Sequence, residues 1–166
     1  MDKIFDLVFS PKAFFKTSRF DFISSVATLL IIWFVNVLIL FPSFKNIPFF
    51  GGFYVFSIIL LGLMIVYYLL SVAIHRIAGK GGKKVFFGFS FVLFPHVMSG
   101  WIFSMGFLWK WAFILLLIPI LWSIVLEFYL VRSSMGYGMI YTIVVRITRD
   151  IIYFVSLYAF LKGWFV

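Results

Sequence analysis

Residues 53–74 read FYVFSIILLGLMIVYYLLSVAI. The stretch holds no charged residue and no proline, and its only polar side chains are Ser57, Ser71 and the tyrosines Tyr54, Tyr67 and Tyr68. A helix rises about 1.5 Å per residue, so a hydrocarbon core of about 30 Å is crossed by about 20 apolar residues. This stretch meets that length and reads as a membrane span. It is stopped by His75-Arg76-Ile77-Ala78-Gly79-Lys80-Gly81-Gly82-Lys83-Lys84, a basic, glycine-rich segment.

Working outward, similar stretches lie on both sides. Residues 22–41 form one, ended by Pro42; residues 85–108 form another, with Pro95 inside it; residues 111–131 form a third, with Pro119 inside it. Arg132 to Gly138 then reads as a turn, marked by serines and glycines. The last stretch, 139–161, is long enough to span but contains Arg146, Arg149 and Asp150. Either one helix carries these charges into the cytoplasmic leaflet, or an interfacial helix precedes a shorter span over 151–166. With no Pro or Gly between Met139 and Lys162, one continuous helix is expected. The expected fold is therefore all-α, a polytopic transmembrane bundle of about five helices over 22–166.

Composition excludes a soluble domain. Hydrophobic residues make up 65% of the 166 and charged residues 11%, against about 25% charged in soluble domains. A sphere of this size has too little interior to hide so much apolar surface. With no cysteine, disulfides, thiolate metal sites and cysteine nucleophiles are excluded. The net charge of +9 would suggest nucleic acid in a soluble protein. In a membrane chain it carries topology, because basic residues gather on the cytoplasmic side; no nucleic acid partner is expected.

The first 21 residues are expected to be cytoplasmic and to include an amphipathic interfacial helix. Ser10-Pro11 has the form of a helix start. After it, Phe14, Phe15 and Phe20 are interleaved with Lys12, Lys16 and Arg19, which predicts an aromatic side toward the bilayer and a basic side toward anionic lipid. The acidic residues, Pro11 and the lack of a small-residue cleavage site argue against a signal peptide.

Five spans place Lys3, Lys12, Lys16, Arg19, Arg76, Lys80, Lys83, Lys84, Arg132, Arg146 and Arg149 on one side, and Lys45, Lys110 and Lys162 on the other. All the loops are short, where this bias is informative. The N-terminus is expected inside and the C-terminus outside. Trp109, Trp111 and Trp164 fall at the outer helix ends of that arrangement, where indoles prefer to sit.

Ionisable residues inside a bilayer are the default functional candidates. Glu127 lies near the cytoplasmic end of the fourth span, and Arg146, Arg149 and Asp150 lie at comparable depth on the fifth. The expected pairs are Glu127 with Arg146 or Arg149, and Asp150 with Arg146 at i, i+4. Such a network is either a structural clamp between neighbouring helices or part of a proton or ion relay. A relay needs a chain of such groups across the membrane, and the outer halves of the spans supply none. His75 and His96 each stand alone at their depth, without the partners a metal or catalytic histidine needs. His96 reads as a packing histidine, and His75, beside Arg76, as one that could equally meet lipid headgroups. Pro95, His96 and Pro119 mark two bends at similar depth and a candidate mid-membrane pocket. Asn36, Ser57, Ser99 and Ser123 offer interhelical hydrogen bonds.

Lys12, Lys16, Arg19, Arg76, Lys80, Lys83 and Lys84 are candidate contacts to anionic lipid headgroups or to a partner. The Gly79–Lys84 loop lacks the spacing of a phosphate-binding P-loop, and no strand precedes it. Neither a catalytic group, a metal site nor a cofactor is expected, since no acid–base pair, GxSxG or HExxH is present.

Several marks resemble those of the Yip1 family, specifically its short bacterial and archaeal members. They are Phe9-Ser10-Pro11-Lys12-Ala13-Phe14-Phe15, His75-Arg76 leading into Gly79-Lys80-Gly81-Gly82, the aromatic third span with Phe87, Phe91 and Pro95, and Leu121-Trp122 before a Gly-containing turn. The resemblance implies a five-helix bundle with a cytoplasmic N-terminus, in a prokaryotic cytoplasmic membrane. The eukaryotic relatives' association with Rab GTPases and vesicle traffic is not expected here, because the sequence lacks their long N-terminal region. The family implies no catalytic residue. The expectation is a membrane-organising or partner-binding scaffold, with the lipid bilayer, a membrane or cytoplasmic protein, or a second copy of the chain as partner. The alternative is a small transporter or channel subunit with a cavity at the bent third and fourth spans.

Overall fold

Helix ends in this protein are written in its caps and glycines. The computed structural model describes residues 2–18, 20–41, 49–79, 82–108 and 110–165, and among these there is no strand. The helices are α1 (Asp2–Phe9), α2 (Pro11–Thr17), α3 (Phe22–Leu40), α4 (Phe49–Gly79), α5 (Lys83–Val92), α6 (Ser99–Leu108), α7 (Leu117–Met135) and α8 (Met139–Phe165). Two 3₁₀ segments, Phe94–Met98 and Lys110–Leu116, join α5 to α6 and lead into α7.

Asp21 caps α3, its carboxylate accepting from the Ser24 amide at 2.7 Å. Pro11 occupies the first position of α2, where a missing amide is no loss; Ser10 supplies a backbone acceptor to Phe14 but no side-chain cap. Gly136, at φ +76°, ends α7, its amide donating to the Arg132 carbonyl at 3.1 Å.

Among the described residues, four helices are long and apolar enough to cross a membrane: Phe22–Leu40, Gly52–Ala78, Lys83–Met105 and Ile114–Met135. The last two run through the 3₁₀ segments. α8 has the length, at 27 residues, but carries Arg146, Arg149 and Asp150 and is not among the four. It is one unbroken helix, without the division at residue 150 that was the alternative.

Two helices, α3 and α8, turn much of their aliphatic surface outward and polar groups inward. In α3 the buried residues are Ser25, Thr28, Ile32, Asn36 and Val37, while Leu30, Ile31, Phe34 and Leu38 are exposed. In α8, Thr142, Val145, Arg146 and Arg149 are buried, while Ile140, Val144, Ile147, Ile151 and Phe154 are exposed. Polar groups turned in and aliphatic groups turned out suit lipid, because only the interior offers hydrogen-bond partners.

α3 packs on α4, α5, α6 and the first 3₁₀ segment, α7 on α2, α5 and α8, and α4 on α5 and α8. The core holds Leu7, Phe14, Phe15, Ile32, Tyr68, Val72, Phe89, Val92, Leu93, Leu126 and Leu130.

Three sequence expectations are corrected here. The second span was expected to end at Ile74, but α4 continues to Gly79 and brings His75 and Arg76 into the helix. A histidine and an arginine are compatible with a helix interior, so they do not stop it. The turn expected over Arg132–Gly138 is confined to residues 136–138, because Ser133 and Ser134 stay helical. The aromatic side of α2 faces protein rather than the bilayer. Phe14 and Phe15 are buried, and the Phe14 and Phe20 rings each lie 5.4 Å from the Phe91 ring of α5. Edge-on packing of Phe14 on Phe91 and tilted packing of Phe20 on the same ring hold α2 against the bundle.

Candidate functional site

Four helices converge on one carboxylate. α7 presents Ser123 and Glu127 four residues apart, hence on one face. α4 presents Tyr67, Ser71 and His75 at the same interval, and α8 presents Arg146, Arg149 and Asp150. Phe89 of α5 closes the group from the remaining side.

Glu127 is fully buried and accepts from three residues. His75 Nε2 lies 2.9 Å from Oε1, Arg149 Nη1 donates to Oε1 at 3.0 Å, and Arg146 Nη1 donates to Oε2 at 3.1 Å. Arg146 Nη2 also donates to Ser123 Oγ at 2.7 Å. Asp150 is only partly buried; it accepts at Oδ1 from Arg149 Nε at 3.0 Å and from the Tyr67 hydroxyl at 2.9 Å. Its Oδ2 lies 3.8 Å from Arg146 Nε. The Arg149 guanidinium sits 4.8 Å from the Tyr67 ring centroid and 5.5 Å from that of Phe89, so its faces are covered by π-clouds.

Two arginines meet two carboxylates, so the formal charges of these four cancel. A buried charge is tolerable only when paired and hydrogen-bonded; both carboxylates and both guanidiniums are ion-paired, while Arg149 Nη2 and His75 Nδ1 are buried without a hydrogen-bond partner among the described residues. The network ties α4, α7 and α8 together. Groups of three or more His, Cys, Asp or Glu able to hold a metal ion are absent among the described residues.

The structure thus brings together Glu127, Arg146, Arg149 and Asp150. Glu127 takes both arginines rather than one. Asp150 bonds more closely to Arg149 than to Arg146. His75, expected to stand alone or meet headgroups, is completely buried against Glu127. The extension of α4 beyond Ile74 is the cause, since it turns residue 75 onto the same face as Tyr67 and Ser71. Tyr67 is likewise a member that sequence reading left out.

The hydrogen bonds of His96 go to groups other than those of this network. Pro95 falls in the first 3₁₀ segment and is buried. The His96 carbonyl accepts from Asn36 Nδ2 at 3.1 Å, and its Nδ1 lies 3.3 Å from Ser99 Oγ. Pro119 is the third residue of α7 and buried, so it starts that helix rather than bending its middle. The first 3₁₀ segment packs on α7, which sets the two prolines on neighbouring elements.

Of the basic candidates, Lys12, Lys16, Arg76 and Lys83 are exposed and Lys84 is half-buried. Arg19, Lys80, Pro42, Lys45 and Trp109 lie outside the described residues, as do the side chains of Lys110 and Trp164. Lys12, Lys16 and Lys84 line a cleft of about 390 Å³ with Arg132, whose guanidinium lies 5.7 Å from the Phe128 ring centroid. Arg132 thus joins the contact residues expected from the sequence.

No family model matches the chain, and neither a curated protein nor a solved structure matches it.

Proposed function

We propose that this chain is a non-enzymatic, polytopic membrane protein of the Yip1 type, a scaffold that presents a basic cytoplasmic face to anionic lipid. The observation that carries the reading is the division of its charges. Glu127 and Asp150, inside the bundle, are paired with Arg146 and Arg149. By contrast Lys12, Lys16, Arg76, Lys83, Lys84 and Arg132 form no ion pair with a described carboxylate. They lie on α2, at the end of α4, at the start of α5 and at the end of α7, which is one end of the bundle. Unpaired cations at the end of apolar helices are drawn to anionic headgroups by about 1 kcal/mol each. In this reading the interior network serves as a rigid support, its two carboxylates and two guanidiniums being paired across α7 and α8. In this reading the chain sits in a prokaryotic cytoplasmic membrane with its N-terminus inside and C-terminus outside.

The six native tryptophans supply the test. The chain is reconstituted in phosphatidylcholine containing a trace of dansyl-labelled phosphatidylglycerol or, separately, dansyl-labelled phosphatidylcholine. Energy transfer to the anionic label is expected to exceed that to the neutral one. The excess should shrink as salt rises beyond about 0.15 M, where the Debye length is about 8 Å. Equal transfer to both labels at low salt would refute the reading.

A further inference from the structure

Resting on that lipid-facing reading, we infer that the cleft between α2, the start of α5 and the end of α7 is a specific site for an anionic lipid headgroup carrying two or more negative charges on phosphate. The cleft measures about 390 Å³ and gathers Lys12, Lys16, Lys84 and Arg132 around Phe128, Tyr129 and Ser133.

The four cations come from three separate elements. Lys12 and Lys16 stand one turn apart on α2, hence on one face. Lys84 lies in the first turn of α5 and Arg132 in the last turn of α7. Their supports are fixed: α2 is anchored beneath by buried Phe14 and Phe15, and α7 packs on both α2 and α5. Four like charges held around one hollow repel one another, and among the described residues no carboxylate pairs with any of them. A bound anion relieves that repulsion. Tyr129 and Ser133 complete the lining, the Ser133 proton being already given to the Leu130 carbonyl at 3.0 Å.

The number of donors selects the ligand. A phosphodiester headgroup such as phosphatidylglycerol carries one negative charge and leaves most of the cations uncompensated. A phosphomonoester, or a headgroup with two phosphates, matches them better and accepts several charge-assisted hydrogen bonds. The position selects a lipid over a soluble phosphate. Lys84 is the second residue of the candidate span Lys83–Met105, and Arg132 lies three residues before the end of Ile114–Met135. The donors therefore ring the level at which spans emerge from hydrocarbon. The Phe128 and Tyr129 rings give the cleft an apolar wall for the glycerol and the first acyl carbons.

Native mass spectrometry of the delipidated, detergent-solubilised chain tests this. Cardiolipin and phosphatidic acid are titrated against phosphatidylglycerol, for the wild type and two double variants of equal net charge. Lys84→Gln with Arg132→Gln alters the cleft; Lys83→Gln with Arg76→Gln removes two exposed cations outside it. The wild type is expected to prefer the two multiply charged lipids. The cleft variant should lose about tenfold or more of its affinity for them, having lost two charge-assisted donors, and the outer variant much less. Equal losses in the two variants would overturn the cleft while leaving the lipid-facing scaffold intact. Displacement of the lipids by inorganic phosphate or pyrophosphate at comparable concentration would overturn the lipid assignment. Absence of any anionic-lipid preference in the wild type would overturn both readings. Elution of both variants at the wild-type volume checks that the fold is kept.

Discussion

Glu127 is the residue on which most depends. It is completely buried and accepts from His75, Arg146 and Arg149. Replacing it with Gln keeps the shape but removes one negative charge, which leaves Arg146 and Arg149 facing Asp150 alone. Removing one partner of a buried pair typically costs about 3–5 kcal/mol. Glu127→Gln is therefore expected to lower the thermal unfolding midpoint in detergent markedly. The double change Glu127→Gln with Arg149→Met restores a neutral group and should be milder than the single one. Unfolding of Glu127→Gln at the wild-type temperature would show that the network does not clamp the helices. The arginines and Asp150 were legible because ionisable residues in apolar runs are rare enough to notice one by one. His75 is hard to see in the sequence because it stands next to Arg76 and a glycine-rich loop, the setting of a helix end at the headgroups. The signal that finds it is periodicity: Tyr67, Ser71 and His75 recur every four residues, as do Ser123 and Glu127. In a lipid-facing helix a polar stripe of that spacing turns inward.

At the scale of elements, the decisive contact is where α6 meets α3. A Cβ added to Gly100 would stand 2.7 Å from Asn36 Oδ1 and 3.3 Å from Asn36 Cα. The glycine lets the two backbones approach while Asn36 bonds the His96 carbonyl in the 3₁₀ segment just before. Gly100→Ala forces these helices apart and is expected to cost about 1–3 kcal/mol, the usual scale of overpacking. Gly62, helical in α4 with nothing within 4 Å of its notional Cβ, is the control. There Gly→Ala should raise stability by about 0.5–1 kcal/mol through backbone entropy alone. Comparison of thermal unfolding in detergent reads both, and a Gly100→Ala protein as stable as the Gly62→Ala one would show that α3 and α6 do not meet here. Existence and type of the long helices were readable from apolar length. Their interruptions were less so. Pro95 does break the third span into a 3₁₀ segment, but Pro119 sits in a first turn, where proline costs nothing. A proline inside an apolar run has the same appearance in both situations; only the packing of the preceding Lys110–Leu116 segment separates them.

For the whole molecule the open quantity is the number of crossings, and α8 decides it. Its 27 residues are about 40 Å of helix, enough for a bilayer with margin. Three charges keep it from reading as a span by composition. Yet Arg146 and Arg149 are turned inward onto Glu127, and the exposed surface from Ile147 through Ile151 to Phe154 and Val155 is apolar. Charges cancelled within the bundle are not presented to lipid, so their presence does not oppose insertion in the way isolated charges do. The prediction is that α8 crosses and that its far end emerges opposite the basic loop between α4 and α5. The chain has no cysteine, so single substitutions are read without background. Arg76→Cys, Lys83→Cys and Lys162→Cys each replace an exposed side chain. A membrane-impermeant maleimide added to sealed, oriented vesicles should reach positions 76 and 83 from one side and position 162 only from the other. Labelling of all three from one side would mean that α8 packs along the bundle without crossing, leaving four spans and both termini on the same face of the membrane.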